Sequence, residues 1–502
     1  MQSIVQRFNY LFRSTKGLVL VSIALIALVT AVWGTISGPM AEWGVRDVSV
    51  RLLGMQLNPA EREGRIIMLY HTIALAVVAI ETYLITEHIP MKQHQQVTIN
   101  GTITVGYILA MVFGLSFAYF GHNWAFHGLF LFGMSLTFFA GILLAAALWP
   151  WKKEYHVQDR EYSHWGKIDL ERTAFFVMAV ATLGSALFGA VTGSYWGNGH
   201  ETFLAEDLIR EPVKTALQLS IIGHLHIMLT LIAVALALLI GRWYDFKGVL
   251  HKIAMPLMIV GTIVITLGVW AVVPFEPIAH IIIYVGSVFI LLSALMLVIF
   301  GFRKLIREGL AETGQRGFVP ALGALLRDPL RFGTLWQMVF MNFTVSGIGI
   351  FVAVKLDEIF RVWPARDERI ILTGHWHVLS GIIATIILLY YADIAGLKGR
   401  ARRWFGWIVI LFSDLAFASV TVFEMKRLFV SEANQQPVVN WTMALVDLGL
   451  GVVLVALAGL MIWRLVDLFE KRGRWAAELA ETGFPADDAP QAQVQPAREG
   501  TK

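Results

Sequence analysis

Long apolar runs are the feature of this sequence that most restricts its fold. Twelve stretches have about 20 apolar residues, the length that a helix needs to cross roughly 30 Å of hydrocarbon. Lipid offers the backbone no hydrogen-bond partners, so runs of this length are expected to be helices. The sequence therefore predicts an all-α polytopic membrane protein. The twelve predicted transmembrane helices are 17–37, 65–87, 100–120, 127–149, 173–195, 214–241, 252–274, 278–301, 333–355, 369–391, 404–423 and 440–465.

Composition and charge agree with this class. Of 502 residues, 57% are hydrophobic and only 15% are charged. Most Lys and Arg lie in the segments on the N-terminal side of the membrane, which predicts that both termini are cytoplasmic, in a bacterial-type inner membrane. The net charge of +4 reflects this topology, so nucleic acid is not an expected partner. The predicted domains are a cytoplasmic lead (1–16), a membrane domain (17–465) and a cytoplasmic tail (466–502) that is largely disordered beyond about residue 476.

Histidines stand near the starts of predicted spans two, six and ten. Span two carries His71, span six carries the pair His224 and His226, and span ten carries the pair His375 and His377. On an α-helix, positions i and i+2 point about 200° apart, so the two members of each pair face different neighbours. Each histidine-bearing helix is the fourth span after the previous one. The simplest organisation is three pseudo-equivalent arcs of four helices each.

A short repeat supports this organisation. Arg-Ile-Ile begins at Arg65 and again at Arg369, and a histidine follows each arginine by six residues, at His71 and His375. The two segments also share a Pro-Ala step shortly upstream. Spans two and ten therefore are expected to enter the membrane in the same direction and to place their histidines at the same depth.

The chain contains no cysteine, which excludes thiolate ligands and covalent haem attachment within it. Ionisable groups inside a bilayer are costly and usually mark a functional site. Imidazole is the usual axial ligand of b-type haem iron where no thiolate is present. The sequence thus predicts haem b bound by His71, His375 and His377.

These residues and their spacing resemble subunit I of the haem-copper oxidase superfamily, in particular the branch of high-affinity oxidases and nitric oxide reductases. The resemblance covers roughly 17–465, and Leu69-Tyr70-His71-Thr72 is similar to a Leu-His-Thr stretch in the family's second helix. It implies that His71 and His377 hold a low-spin haem b and that His375 is the proximal ligand of a high-spin haem. It also implies a respiratory oxidoreductase that reduces oxygen or nitric oxide, with cytochrome c or quinol as electron donor and with additional membrane or haem-bearing subunits.

The second metal site departs from the family pattern. There, copper or non-haem iron takes a histidine from helix six and an adjacent histidine pair at the outer end of helix seven. Here helix six offers His224 and His226, but His280 is followed by Ile281. Glu276, four residues before His280, could supply an oxygen ligand suited to iron. Two alternatives stay open: a divergent second metal site, or a degenerate site that leaves an electron carrier. The candidate catalytic residues are His375, His224 and His280.

Several other charged residues are candidates for supporting roles. Haem propionates pair well with cations, and the cations expected near them are Arg65, Arg369, Lys426 and Arg427. Glu81, Asp414 and Asp447 lie inside predicted spans and are expected either to carry protons or to join helices by hydrogen bonds. Histidines expected at the headgroup boundary are His88, His94, His156, His164 and His251. A secondary transporter, the alternative from a different class, is disfavoured because the repeats share one orientation.

Overall fold

A computed structural model describes residues 2–37, 44–57, 62–196, 215–470 and 473–481. Within these ranges eleven helices are long and apolar enough to cross a membrane. The only strands in the described ranges form a hairpin of β1 (His164–Trp165) and β2 (Ile168–Asp169). The chain is therefore an all-α polytopic membrane protein, as the apolar runs predict.

The helices occur at the positions of the predicted spans, with short additional helices between and beyond them. In chain order they are α1 (Gln2–Arg13), α2 (Thr15–Ser37), α3 (Val45–Leu53), α4 (Arg62–His88), α5 (Gln93–Phe120), α6 (Trp124–Ala147), α7 (Leu170–Trp196), α8 (Ala216–Trp243), α9 (Val249–Thr313), α10 (Phe318–Leu325), α11 (Pro329–Val339), α12 (Ser346–Val354), α13 (Ala365–Ile394), α14 (Gly399–Met425), α15 (Gln435–Phe469) and α16 (Arg474–Glu481). A π-helical segment, Phe340–Val345, joins α11 to α12. These two helices and the joint form one candidate span, Pro329–Val354.

Helix α9 is a helical hairpin. Its 65 residues include Phe275, whose backbone (φ −145°, ψ 51°) is not helical and which lies between Pro274 and Pro277. Proline removes a backbone donor and breaks the helical hydrogen-bond ladder. The two halves then pack on each other in antiparallel fashion: a Cβ added at Gly268 would lie 3.0 Å from the backbone nitrogen of Ile283.

Helices α5 and α6 approach each other closely at two glycines. A Cβ added at Gly133 would lie 2.5 Å from the backbone nitrogen of Ala110, and one added at Gly106 would lie 2.6 Å from the hydroxyl of Thr137. Membrane helices gain packing energy by such contacts, because lipid provides no hydrophobic drive for association. The two glycines set the distance between these helices.

Ion pairs join the helices at the end opposite to the starts of α4, α8 and α13. Arg402 of α14 pairs with Asp328 at 2.8 Å and with Asp393 at the end of α13, and Trp243 at the end of α8 donates to Asp393 at 3.0 Å. Buried charges are tolerated when they are paired and hydrogen-bonded. This network fixes the helix ends away from the histidines.

Helices α1 and α16 meet around Arg464, a fully buried residue of α15. Arg464 donates to the Tyr10 hydroxyl of α1 and pairs with Glu478 of α16 at 2.9 Å. Residues 474–481 are therefore helical, although composition predicts irregular structure beyond about residue 476. Residues 482–502 of the predicted tail lie outside the described ranges, as do 58–61 of the loop before α4.

His251 is wrongly assigned to the headgroup boundary by sequence analysis. Its side chain is fully buried, and its Nδ1 accepts a hydrogen bond of 2.9 Å from the backbone of Ser163. His88 is likewise only partly exposed and is hydrogen-bonded to the Tyr390 hydroxyl at 2.5 Å. Both histidines serve the packing of helix ends, which composition along one segment does not reveal.

Candidate metal centre at the histidine-bearing helix starts

Three helices bring their first three turns together at one end of the bundle. His71 is the tenth residue of α4, His224 the ninth of α8 and His375 the eleventh of α13. At 1.5 Å of rise per residue, the three histidines therefore lie about 12–15 Å from the starts of their helices, in the third turn. His71, His224 and His375 are partly buried, whereas His226 and His377 are exposed. The structure thus gathers five of the six histidines that the sequence predicts as ligands; the sixth, His280, lies on α9.

All five rings are held by backbone carbonyl groups through Nδ1. Because a carbonyl oxygen only accepts, Nδ1 must carry the proton, and Nε2 then holds the lone pair. This is the arrangement in which histidines bind metals: one ring nitrogen donates to a fixed acceptor and the other coordinates. The Nδ1–O distances are 2.8 Å for His71 to Ile67, 3.0 Å for His224 to Ser185, 2.8 Å for His226 to Ile222, 3.4 Å for His375 to Ile371 and 2.9 Å for His377 to Thr373.

The rings form two pairs across helix boundaries. His71 of α4 and His224 of α8 have ring centres 6.1 Å apart and planes inclined by 14°. His226 of α8 and His375 of α13 have ring centres 6.3 Å apart and planes inclined by 36°. The resemblance implies a different pair, His71 with His377. In the described residues the ring of His377 contacts Tyr70 instead, at 5.6 Å between ring centres.

Two of the five Nε2 atoms already have hydrogen-bond partners. The Trp376 indole donates to Nε2 of His226 at 3.2 Å, and the Tyr70 hydroxyl is hydrogen-bonded to Nε2 of His377. Among the described residues no group donates to Nε2 of His71, His224 or His375. Those three nitrogens are the ones best placed to coordinate a metal.

The spacing of both ring pairs fits a metal held between two imidazoles. A metal–nitrogen bond is about 2 Å long, so two rings on opposite sides of one metal have centres about 6 Å apart. Both the His71–His224 and the His226–His375 pairs meet this distance. The donor set consists of neutral nitrogens without thiolates, which suits b-type haem iron.

Glycines make room for this arrangement. The ring of His224 lies directly over Gly189 of α7, and a Cβ added there would overlap three ring atoms. The carboxyl group of Glu424 in α14 lies equally close to Gly374, the residue before His375. Because glycine has no side chain, Gly189 lets the His224 ring approach α7 closely, and Gly374 lets the Glu424 carboxyl group approach α13 closely.

Glu424 is a residue of this region that sequence analysis missed. Its side chain is 3% exposed, and Oε1 has no hydrogen-bond partner among the described residues. The predicted span ends at 423, one residue too early to include it. An acidic residue at the end of an apolar run, level with the histidine of a neighbouring helix, was the signal that could have identified it.

We expect Gly374→Ala to disturb the start of α13, because its Cβ would overlap the Glu424 carboxyl group. The thermal midpoint of the purified protein should fall by several degrees, since overpacking typically costs about 1–3 kcal/mol. Gly374→Ala combined with Glu424→Ala should recover most of this loss. Gly347→Ala, at a glycine with open space around its Cβ position, is the control. Equal losses in the single and double variants would disprove the contact.

The predicted propionate cations have carboxylate partners or lie near the helix starts. Lys426 and Arg427 both pair with Asp367 in the first turn of α13, at 2.9 Å and 2.6 Å. Arg65 is 7% exposed, and its carbonyl accepts from Tyr119 at 3.4 Å. Arg369 is partly buried in α13. The Asp367 cluster leaves one net positive charge close to the start of α13.

Glu276 and His280 lie just after the turn of the α9 hairpin. His280 is exposed and close enough to His226 to interact electrostatically, and Glu276 is partly buried. Among the described residues no group of three or more His, Asp or Glu side chains converges as metal ligands. The structure therefore places His280 near His226 of α8. Among the described residues it does not assemble a cluster of ligands for a second metal.

The three acidic residues within spans have different surroundings. Glu81 is 4% exposed in α4. Asp414 accepts hydrogen bonds of 2.7 Å from both Trp336 and Gln337 of α11 and so joins two helices. Asp447 is exposed on α15. The helix-joining role thus accounts for Asp414, and the proton-path hypothesis remains a prediction for Glu81.

Comparisons of the chain with models of known protein families, with curated proteins and with solved structures gave no match.

Proposed function

We propose that the chain is an integral membrane oxidoreductase subunit that passes electrons through b-type haem held by its histidine cluster. The observation that supports this most is the common state of the five histidines: each donates Nδ1–H to a backbone carbonyl and keeps the Nε2 lone pair. Haem, when bound, supplies the one-electron redox chemistry. The protein's contribution is to hold the rings, exclude water and set the local charge.

Under this proposal His71, His375 and His377 are the candidate haem ligands, with His224 facing His71 and His226 facing His375. Backbone carbonyls of the same helices fix four of the five rings, so the ligand directions are set by helix geometry rather than by loops. Ligands built on rigid elements are positioned more reproducibly than ligands on loops. The Asp367–Lys426–Arg427 cluster provides cationic charge near the start of α13 for propionates.

The twelve-span arrangement in three arcs is part of the same proposal. The hairpin of α9 folds one long helical run into two antiparallel halves, which together with the ten other candidate spans gives twelve crossings. The joint cluster of α4, α8 and α13 favours a common position for these helices in three repeated units. We further propose that both termini are cytoplasmic, in a bacterial-type inner membrane.

The proposed reaction is the reduction of oxygen or nitric oxide at a high-spin haem on His375, with cytochrome c or quinol as donor and with additional subunits. A copper or non-haem iron near His224, His226, His280 and Glu276 belongs to this proposal as well. An optical spectrum of the purified, dithionite-reduced chain tests its foundation. A Soret band with split α-bands is expected, and a preparation that binds no haem when produced with ample haem supply would rule it out.

An electron carrier is the second candidate, and the spacing of His226 and His375 favours it. Their ring centres, 6.3 Å apart, match two ligands on opposite faces of one iron, which would leave no position for a substrate. Coordination of iron by His226 would require the loss of the hydrogen bond that the Trp376 indole donates to Nε2 of His226. Carbon monoxide decides between the two candidates: a shift of the reduced spectrum supports the reductase, and its absence supports the carrier.

We expect Asp367→Asn to raise a haem midpoint potential, because Lys426 and Arg427 would lose the carboxylate that offsets their charge. Added positive charge stabilises the reduced state, and a shift on the order of 60 mV corresponds to a tenfold change in a one-electron equilibrium. The double variant Lys426→Gln with Arg427→Gln should shift the potential in the opposite direction. Redox titration measures both, with Glu432→Gln, an exposed position in the following loop, as control. Unchanged potentials would place the cluster away from any haem.

A further inference from the structure

An open groove lies at the start of α14, at the end of the bundle opposite to the histidine cluster. Its volume is about 380 Å³, and it is lined by two arginines and two tryptophans: Arg400, Arg403, Trp404 and Trp407. We propose that this arginine–tryptophan groove binds the headgroup of an anionic phospholipid. The site is separate from the proposed haem chemistry and does not depend on it.

The spacing of the four lining residues places them on one face of α14. They stand at positions i, i+3, i+4 and i+7, which are neighbours on a helix surface. Arg402 of the same segment points elsewhere and pairs with Asp328 and Asp393. Arg400 and Arg403 are exposed, and neither has an ion pair among the described residues. The groove therefore carries two positive charges that no carboxylate in the described ranges offsets.

The lining side chains are all hydrogen-bond donors. A guanidinium group has five N–H donors and no acceptor, and an indole ring has one N–H donor and no acceptor. The indole nitrogens of Trp404 and Trp407 have no hydrogen-bond partner in the part of the chain that the structure describes. A ligand that fits must be negatively charged and rich in acceptor oxygens. A phosphate group has both properties and forms paired, charge-assisted hydrogen bonds with arginine.

The same helix face continues into the apolar part of the membrane span. Helix α14 belongs to the candidate span Gly399–Leu428, and Leu411, one turn beyond Trp407, is 58% exposed. Trp407 also packs against Phe332 of α11, with ring centres 5.8 Å apart. Tryptophans are enriched where the headgroups of a membrane meet its hydrocarbon. A ligand with a phosphate at one end and an acyl chain at the other matches this order, which favours a phospholipid over a free phosphate or an acidic protein segment.

Lipid titration of the full-length protein in detergent, followed by native mass spectrometry, tests the proposal. The probes are dioleoylphosphatidylglycerol, which is anionic, and dioleoylphosphatidylcholine, which has no net charge. We expect the wild type to retain phosphatidylglycerol preferentially. Arg400→Gln combined with Arg403→Gln should weaken its apparent affinity by about tenfold or more, because hydrogen bonds to a charged group are lost. A wild type that retains both lipids equally would overturn the proposal.

The matched control removes the same charge from the same end of the bundle. Arg303 and Arg307 are exposed on the last part of α9, and Lys304 between them donates to the Tyr244 carbonyl just after α8 at 2.7 Å. Arg303→Gln combined with Arg307→Gln should leave the apparent affinity for phosphatidylglycerol close to that of the wild type. An equal loss in both double variants would show only a general attraction of anionic lipid to a positive surface, and would overturn the assignment to the groove.

Two further measurements identify the ligand more closely. Trp404→Phe keeps an aromatic ring but removes the indole N–H, so it should weaken phosphatidylglycerol binding severalfold without removing charge. Inorganic phosphate and glycerol 3-phosphate should not displace the lipid at comparable concentrations, because they lack the acyl chains that follow the apolar face of α14. Displacement by either compound would identify a free phosphate as the ligand, and displacement by a glutamate-rich peptide would identify a protein segment. Both results would overturn the lipid assignment.

Discussion

His375→Ala is expected to abolish the carbon monoxide shift of the reduced protein while the low-spin spectrum persists. His375 is the residue of the Gly374-His375-Trp376-His377 segment whose ring faces α8, and its Nε2 is not engaged by a hydrogen-bond donor in the described ranges. Under the proposed function it supplies the proximal nitrogen of the haem that binds small molecules. Without that nitrogen the haem is lost or loosely held, and carbon monoxide no longer produces the characteristic shift.

The control for this experiment is His94→Ala, which removes an exposed histidine at the start of α5. Its carbon monoxide difference spectrum should equal that of the wild type. A His375→Ala protein that keeps the full shift would remove His375 from the site. If the wild type shows no shift and His226→Ala acquires one, then His226 closes the sixth position and the protein is an electron carrier.

The length and position of the membrane helices could be predicted because hydropathy acts locally. A run of about 20 apolar residues must satisfy its own backbone hydrogen bonds in lipid, whatever its neighbours are. Pro274 and Pro277 likewise mark the turn of the α9 hairpin between predicted spans. The helical extension to Thr313 could not be read from hydropathy, because that part of α9 is charged. The burial of His251 depends on Ser163, 88 residues away, and no local pattern encodes it.

The histidine cluster was predictable in membership but not in pairing. Depth follows from position along each helix, so His71, His224 and His375 were expected at one level. Which rings meet depends on how each helix is rotated about its axis, and one residue corresponds to about 100°. The contact of Tyr70 with His377 shows that this rotation presents a neighbour of His71 to α13. Glu424 was missed because a hydropathy boundary is uncertain by several residues, and one residue sufficed to exclude it.

A bulky side chain at Gly133 is expected to cause a large loss of stability, because this glycine lies between two closely packed membrane helices. Gly133 of α6 lies against the backbone of α5, where an added Cβ would be 2.5 Å from the nitrogen of Ala110 and 2.7 Å from the carbonyl oxygen of Gly106. Backbone atoms cannot move aside as a flexible side chain can. Gly133→Leu must therefore separate the helices, at a cost of about 1–3 kcal/mol or more.

The thermal midpoint of the purified protein in detergent measures this effect. Gly133→Leu should lower it by several degrees and should also reduce yield, since a marginally stable protein is removed in the cell. Gly128→Leu is the matched control, because it adds the same side chain to the same helix at a position with no atom within 4 Å of the added Cβ. Because helix propensity and hydrophobicity change equally in the two variants, their difference isolates the contact with α5. Equal midpoints for Gly133→Leu and Gly128→Leu would mean that α5 and α6 do not meet at Gly133.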